Sequence, residues 1–321
     1  MNNRMRNILI TGINGFIGSY LARRLLEERY NIIGVSREDK CRLSEKIKYI
    51  KADITDFTAI NSIFDTYTID CVIHLAAIVH KKSNDLSYEA YYDVNYLASK
   101  NIFERCLEKN VKKVIFSSTI EVYGNNKESI VTENAKCMPK TIYGKTKLLA
   151  EDTAKLLLGR SSTDFAIMRF APVYAKDFLL NIYNRIYLIH RKIAYYFKDG
   201  SYTFNFCSIN NILEFVSNFL NNDSVPSGTY NISDGKNYSA MQLIKLEKEF
   251  NSLRIICRLP YHICLIAINI FEKVHLLLKK RDCTISVNNF SKLFRSTIYS
   301  NKNAEQLVTD LNWDIENTLY K

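Results

Sequence analysis

Short apolar runs alternate with amphipathic stretches through the first half of the chain. Asn7–Thr11, Asn31–Ser36, Cys71–Leu75, Val111–Ser117 and Phe165–Phe170 are rich in Ile, Val and Phe and end in polar or glycine-bearing turns, so they predict strands. Phe16–Arg29, Phe57–Tyr67, Tyr88–Lys109 and Tyr143–Leu158 lie between them with apolar residues at helical spacing. Strand–helix alternation of this kind predicts a parallel sheet buried on both faces by helices. After Phe170 the pattern loosens. Phe204–Ile209 and Thr229–Ile232 read as short strands, and Met241–Phe250 and the 260s read as helices. The expected fold class is therefore α/β: a Rossmann-type, doubly wound parallel sheet with a smaller mixed α/β substrate domain. The expected division is 1–170 for the part that carries the large sheet and 171–321 for the smaller part, with some of 201–235 returning to the sheet.

The first strand runs straight into Gly12-Ile-Asn-Gly15-Phe-Ile-Gly18 and then a helical pattern. One glycine suits the strand-to-helix turn, the second lets backbone approach a pyrophosphate, and the third lets helix and strand pack closely. The N–H groups that open the helix then face the phosphates. At the end of the second strand an acidic residue would bind the adenosine 2′-hydroxyl of NAD. Ser36-Arg37 stands there instead, a hydroxyl and a guanidinium that suit a 2′-phosphate. NADP is the favoured cofactor on this reading and NAD the alternative.

Tyr143 and Lys147 are four apart on a predicted helix and share a face. A free phenol is a poor base at neutral pH, but a neighbouring ammonium stabilises its phenolate. Such a pair can pass a hydroxyl proton while hydride crosses between a substrate carbon and a nicotinamide; Lys147 would also hold the nicotinamide ribose. The run Phe116-Ser-Ser-Thr119 releases hydroxyl residues at the carboxyl end of a strand, and Thr119 is the candidate to hydrogen-bond the reacting oxygen.

Composition narrows the class less than the motifs do. The net charge of +11 is spread without a basic block or tail, so no nucleic-acid partner is expected. Eight cysteines with no C-x-x-C and no zinc-like spacing predict reduced thiols, no metal site and a cytoplasmic setting. The first strand begins near residue 7, which leaves no room for a secretory leader. The apolar core of Arg258–Glu272 is Ile263–Ile268, far short of the roughly 18–20 residues that span a bilayer. Pro260–Arg281 reads either as a core or dimer-interface helix with a solvated basic end, or as a segment resting on an anionic membrane surface.

Taken together, these motifs resemble the extended short-chain dehydrogenase/reductases of the NAD(P)-dependent nucleotide-sugar epimerase/dehydratase family, over nearly the whole chain. Thr11–Gly18 is similar to the family's opening motif, and Asp53 with Ile54 to its adenine-contacting segment. Leu75-Ala76-Ala77 after His74 is similar to the segment that lines the cofactor, and Asn95 to its helix asparagine. Ser117–Gly124, Tyr143–Lys147 and Ser300–Trp313 are similar to the catalytic strand, the catalytic helix and the closing motif. The resemblance implies catalytic Thr119, Tyr143 and Lys147. It implies cofactor contacts from Gly12, Gly15, Phe16, Ile17, Gly18, Ser36, Arg37, Asp53, Ile54, Leu75, Ala76, Ala77, Asn95 and Ser117. It also implies a UDP-linked sugar substrate, a role in surface-polysaccharide precursor synthesis, and a homodimer.

Departures from the family's pattern narrow the reaction. The Thr-Asp-Glu of sugar dehydratases reads Thr119-Ile120-Glu121 here, so elimination lacks its acid, while Glu121 leaves decarboxylation open. The family's diphosphate-gripping Arg-Asp-Phe reads Phe204-Asn205-Phe206, and Asn210 and Asn211 stand where paired acids are usual. Ser118, Glu121, Lys176, Asn181 and Arg295 are the substrate-side candidates, with Arg185 and Arg191 as further sources of positive charge. A 4-epimerase and a 4-keto-sugar reductase both fit. The rivals are a reductase of a non-sugar carbonyl and a non-catalytic dinucleotide-binding scaffold.

Overall fold

Seven parallel strands form the central sheet of the computed structural model. The structure describes residues 7–79, 87–124, 126, 128–189, 192–251, 253, 255–277, 296–308 and 311–320. Strands β1 (Asn7–Thr11), β2 (Asn31–Ser36), β3 (Lys48–Lys51), β4 (Cys71–His74) and β5 (Lys113–Thr119) are joined by strands Asp164–Phe170 and Gly228–Ile232. Their order is Gly228–Ile232, Asp164–Phe170, β5, β4, β1, β2, β3. The chain thus winds outward from β1 to β3, then returns to the other side of β1 with β4. That reversal opens a crevice at the carboxyl ends of β1 and β4, the place where open α/β sheets bind ligands.

Alternation along each strand explains why helices cover both faces. Ile8, Ile10, Ile73, Ile115 and Met168 belong to one apolar cluster, with Leu21 and Leu25 of helix α1 (Phe16–Glu27) and Phe215 of helix Ile209–Asn221. Leu9, Val72, Val114, Phe116 and Ile167 belong to the other, with residues of helices Phe57–Thr66, Ala98–Glu108 and Ile142–Leu158. Every residue of β5 is buried.

The differences from expectation are local. Strand β3 was not expected: at the sheet's outer edge, Lys48-Tyr-Ile-Lys51 is half-solvated and its apolar run is too short to mark a strand. Strand β5 begins and ends two residues later than Val111–Ser117, which puts Thr119 on the strand itself. The helix expected at Tyr88–Lys109 is interrupted by a π-helical turn at Asp93–Leu97. Phe204–Ile209 divides into two short strands, Thr203–Phe204 and Cys207–Ser208.

A smaller sheet of Ile255–Leu259, Ile193–Phe197 and Tyr187–Ile189 packs with helices Leu180–Ile186, Ala240–Phe250 and Tyr261–Leu277 around Phe204, Phe206, Tyr238 and Leu243. Among the described residues the cysteines are all free, no three metal-ligating side chains converge, and no helix is long and apolar enough to cross a membrane.

Candidate active site

Close packing at the crevice dictates the glycines. Gly12 has φ +73°, and a Cβ there would stand 2.9 Å from the Ala76 nitrogen, across the gap between β1 and β4. A Cβ at Gly18 would stand 2.4 Å from the Gly12 carbonyl oxygen, so α1 lies directly on the turn. Gly15 precedes α1 without a side-chain cap, and the helix has no acid in its first turn. The N–H groups that open it, Phe16 and Ile17 among them, are thus left for an anion. The Phe16 ring itself turns away and stacks on Phe178 at 4.3 Å.

Behind the crevice runs a buried polar chain. His74 Nδ1 shares a 2.7 Å hydrogen bond with the Thr11 hydroxyl, and its Nε2 a 2.9 Å bond with Ser99. Ser99 donates to the Asn95 carbonyl, and Ser117 donates to the His74 carbonyl at 3.1 Å. The Asn95 side chain grips Ile78 twice, accepting from its N–H at 2.8 Å and donating to its carbonyl at 3.0 Å. Asn95 and Ser117 therefore position the Leu75–Ile78 segment. The π turn is what carries Asn95 inward, a common use of such turns.

Burial, then the charge of Lys147, pulls the His74 pKa from 6.5 down to about 3. The unfolded chain thus binds a proton that the fold refuses, and stability falls as pH drops from 6.5 towards 3. This group contributes a slope of about 1.4 kcal/mol per pH unit over that window. Urea midpoints measured from pH 7 to pH 4 should show that slope, and His74→Asn should flatten it by one proton.

The other cofactor candidates lie further out. Asp53 accepts from the Thr55 N–H and hydroxyl at 2.9 and 2.8 Å, and pairs with Arg37 at 3.8 Å. Ser36 accepts a long bond from the Glu38 N–H. The Ile54 side chain is buried in the core, which leaves only its backbone for a ligand.

Thr119, Tyr143 and Lys147 come together where β5 meets helix Ile142–Leu158. Thr119 lies beside the Tyr143 hydroxyl, close enough to lower its pKa, and Tyr143 packs on Ile78 and Tyr91. Burial, reinforced by the charge of Glu121, pushes the phenol pKa well up, and Thr119 opposes the rise. The Lys147 Nζ sits 4.0 Å from the Phe116 ring centre, fully buried, without a hydrogen-bond partner among the described residues. Burial pulls its pKa down to about 7 against the charge of Glu151, one turn along the helix. An orphaned ammonium beside a glycine cradle fits the hydroxyl-rich ribose of a dinucleotide. The cradle, the buried lysine and the phenol together fit hydride chemistry.

The substrate candidates separate. Ser118 points to the opposite face of β5 from Ser117 and Thr119 and donates to Glu151, so it is no substrate contact. Glu121 accepts from Thr141 at 2.8 Å, and Thr141 in turn caps helix Ile142–Leu158 by accepting from the Gly144 N–H. Glu121 thus anchors that helix, and its charge reaches Tyr143. Asn181 spends its amide on the Val173 carbonyl at 2.7 Å. Exposed Lys176 lines a separate cavity of about 570 Å³ with Asn210 and Trp313. Arg295 and Arg191 lie outside the described residues. Arg185 instead lines a cavity of about 150 Å³ beside Ile120, with Phe204, Asn205 and Tyr299. Its guanidinium lies 5.4 Å over the Phe204 ring, burial lowers its pKa, and it forms no ion pair with the described residues. Asn205 is occupied in accepting from the Tyr299 N–H and donating to the Thr297 carbonyl.

Sequence reasoning missed the polar chain through His74 and Ser99, and the pairing of Glu151 with Arg169 behind β5. Glu151 follows Lys147 by four residues, a spacing that puts both on one helix face and was the available signal.

A profile of the NAD dependent epimerase/dehydratase family matches residues 8–233. The chain belongs to this family. It is 30% identical to the UDP-glucuronate 4-epimerase of Thermodesulfobacterium geofontis over 179 residues, 52% of this chain and 55% of that one. It is 26% identical to the UDP-glucose 4-epimerase of Halalkalibacterium halodurans over 269 residues, 74% of this chain and 78% of that one. Among solved structures, the Bordetella bronchiseptica enzyme WbmG in complex with NAD and UDP superposes with a TM-score of 0.75. At 18% identity, over 99% of this chain and 93% of that one, it shows the shared fold. The family member spans about half the length of the T. geofontis relative it matches.

Proposed function

We propose that this family member is a UDP-sugar 4-epimerase working with NAD. The observation that carries the reading is the placing of Thr119, Tyr143 and a buried Lys147 amine, without a hydrogen-bond partner among the described residues, at the crevice that the three glycines keep open. The relatives named UDP-sugar 4-epimerases supply the substrate class. When bound, NAD supplies the hydride acceptor and donor. Tyr143 takes the proton of the C4 hydroxyl as the C–H bond is oxidised, and Thr119 steadies that oxygen. Tyr143 then returns the proton once hydride reaches the other face of the ketone, so the atoms balance without a second reductant. Lys147 holds the ribose and favours the phenolate. Arg185 offers the substrate-side cation that Phe204-Asn205-Phe206 does not, beside apolar Ile120 where an elimination would need its acid.

Arg37 divides NAD from NADP. Its pairing with Asp53 offsets the charge that a 2′-phosphate would use, which favours NAD. Its side chain is nonetheless two-thirds exposed, which supports a second reading, an NADPH-consuming 4-keto-sugar reductase. Denaturing the purified protein and identifying the released nucleotide separates the two. Tightly held NAD, together with C4 inversion of a UDP-hexose seen by NMR, is the expected result. An emptied site that prefers NADPH and reduces a 4-keto sugar once per cofactor would establish the reductase.

A further inference from the structure

Helix Tyr261–Leu277 has three sides, and the active site uses none of them. Tyr261, Cys264, Leu265 and Ile268 pack against the smaller core. At about 3.6 residues per turn, Ile263, Ile266 and Ile270 form a stripe on the outward side, 65%, 61% and 58% exposed. Exposed His262, Asn269 and Lys273 fall together along one edge of that stripe. The helix's one acid, Glu272, lies on the opposite, packed side.

Isolated exposed apolar residues need no explanation, but three isoleucines in register on one helix do. The surroundings are basic. Exposed Arg258 precedes the helix, and Lys198 lies 4.6 Å over the Tyr261 ring at its start.

We propose that this face is a docking surface for an anionic lipid bilayer, with the isoleucines entering the headgroup boundary and the basic residues meeting the lipid charge. An apolar stripe with Lys273 on its edge and Arg258 and Lys198 near the helix start has the chemistry of an interfacial helix. A second copy fits less well: a self-complementary interface would set the Lys273 edge against its own copy with no acid on the outward side of the helix to pair it.

The test uses the full-length protein and vesicles of phosphatidylcholine, with or without 30% (about a third) phosphatidylglycerol, a fraction chosen to give a surface potential that attracts polybasic segments. Co-sedimentation is expected with the anionic vesicles only, weakened by salt. Ile263→Glu/Ile266→Glu should reduce it at least tenfold without changing the thermal midpoint or turnover of soluble substrate. No sedimentation with either vesicle would overturn the proposal. So would equal binding by the double variant, which would place the lipid contact elsewhere. A double variant that changes only the sedimentation-equilibrium mass would assign the face to a second copy, and that too overturns it.

Discussion

Tyr143→Phe should lower kcat for C4 inversion by about a thousandfold, the middle of the range for losing a positioned acid–base group. KM should change little, because the ring still fills the space between Ile78 and Tyr91. The pH profile carries the finer test. Burial and the charge of Glu121 raise the Tyr143 pKa, so turnover limited by the phenolate should climb as pH rises. Glu121→Gln keeps an oxygen for Thr141 to donate to but removes the negative charge beside the phenol. Its rising limb should therefore move to lower pH. An unchanged limb in Glu121→Gln would mean that a different group governs the proton step. Tyr143→Phe retaining a tenth or more of wild-type kcat would remove Tyr143 from the chemistry altogether.

The parts of this fold that sequence discloses are those whose physics is local. The strands β1, β4 and β5 are buried on both faces, which demands unbroken Ile, Val and Phe. Gly12 and Gly18 can be read as a cradle because no side chain fits beside Ala76 or the Gly12 carbonyl. Tyr143 and Lys147 are four apart, so a helix alone brings them together. What escaped was set by tertiary position. Ser117, Ser118 and Thr119 are three hydroxyls in a row, and only the true register of β5 shows that Ser118 faces away from the other two. The π turn at Asp93–Leu97 lies inside one unbroken helical run with no glycine or proline, so no breaker residue marks it. Edge strand β3 is half-solvated, and its two apolar residues, Tyr49 and Ile50, are too short a run to mark a strand. Arg185 reaches its cavity from the last turn of the short helix Leu180–Ile186, where charge in the sequence says little about which neighbour the side chain meets.

Glu151 and Arg169 illustrate the same limit, and their loss should be the most damaging to the fold. Glu151 is fully buried on helix Ile142–Leu158, and Arg169 comes from the neighbouring sheet strand. The guanidinium donates to both carboxylate oxygens, at 3.1 and 2.6 Å, and also to the Tyr123 hydroxyl and the Glu133 carbonyl. Burial opposes the charge on Arg169, but the hydrogen bonds and charge of Glu151 outweigh it and raise its pKa. Removing one partner strands a buried ion, at a cost of about 3–5 kcal/mol. Glu151→Leu should therefore lower the melting temperature by on the order of 10 °C. Glu151→Leu/Arg169→Met removes both charges and should recover most of that loss, since apolar replacements of similar volume often match a buried pair. Activity should not recover with it. Lys147 loses the one charge that holds its pKa up against burial, so more of it is neutral at pH 7 and the phenolate loses its support. Melting curves and kcat measured on the same three proteins separate the roles. A double variant that regains turnover along with stability would make Glu151 purely structural.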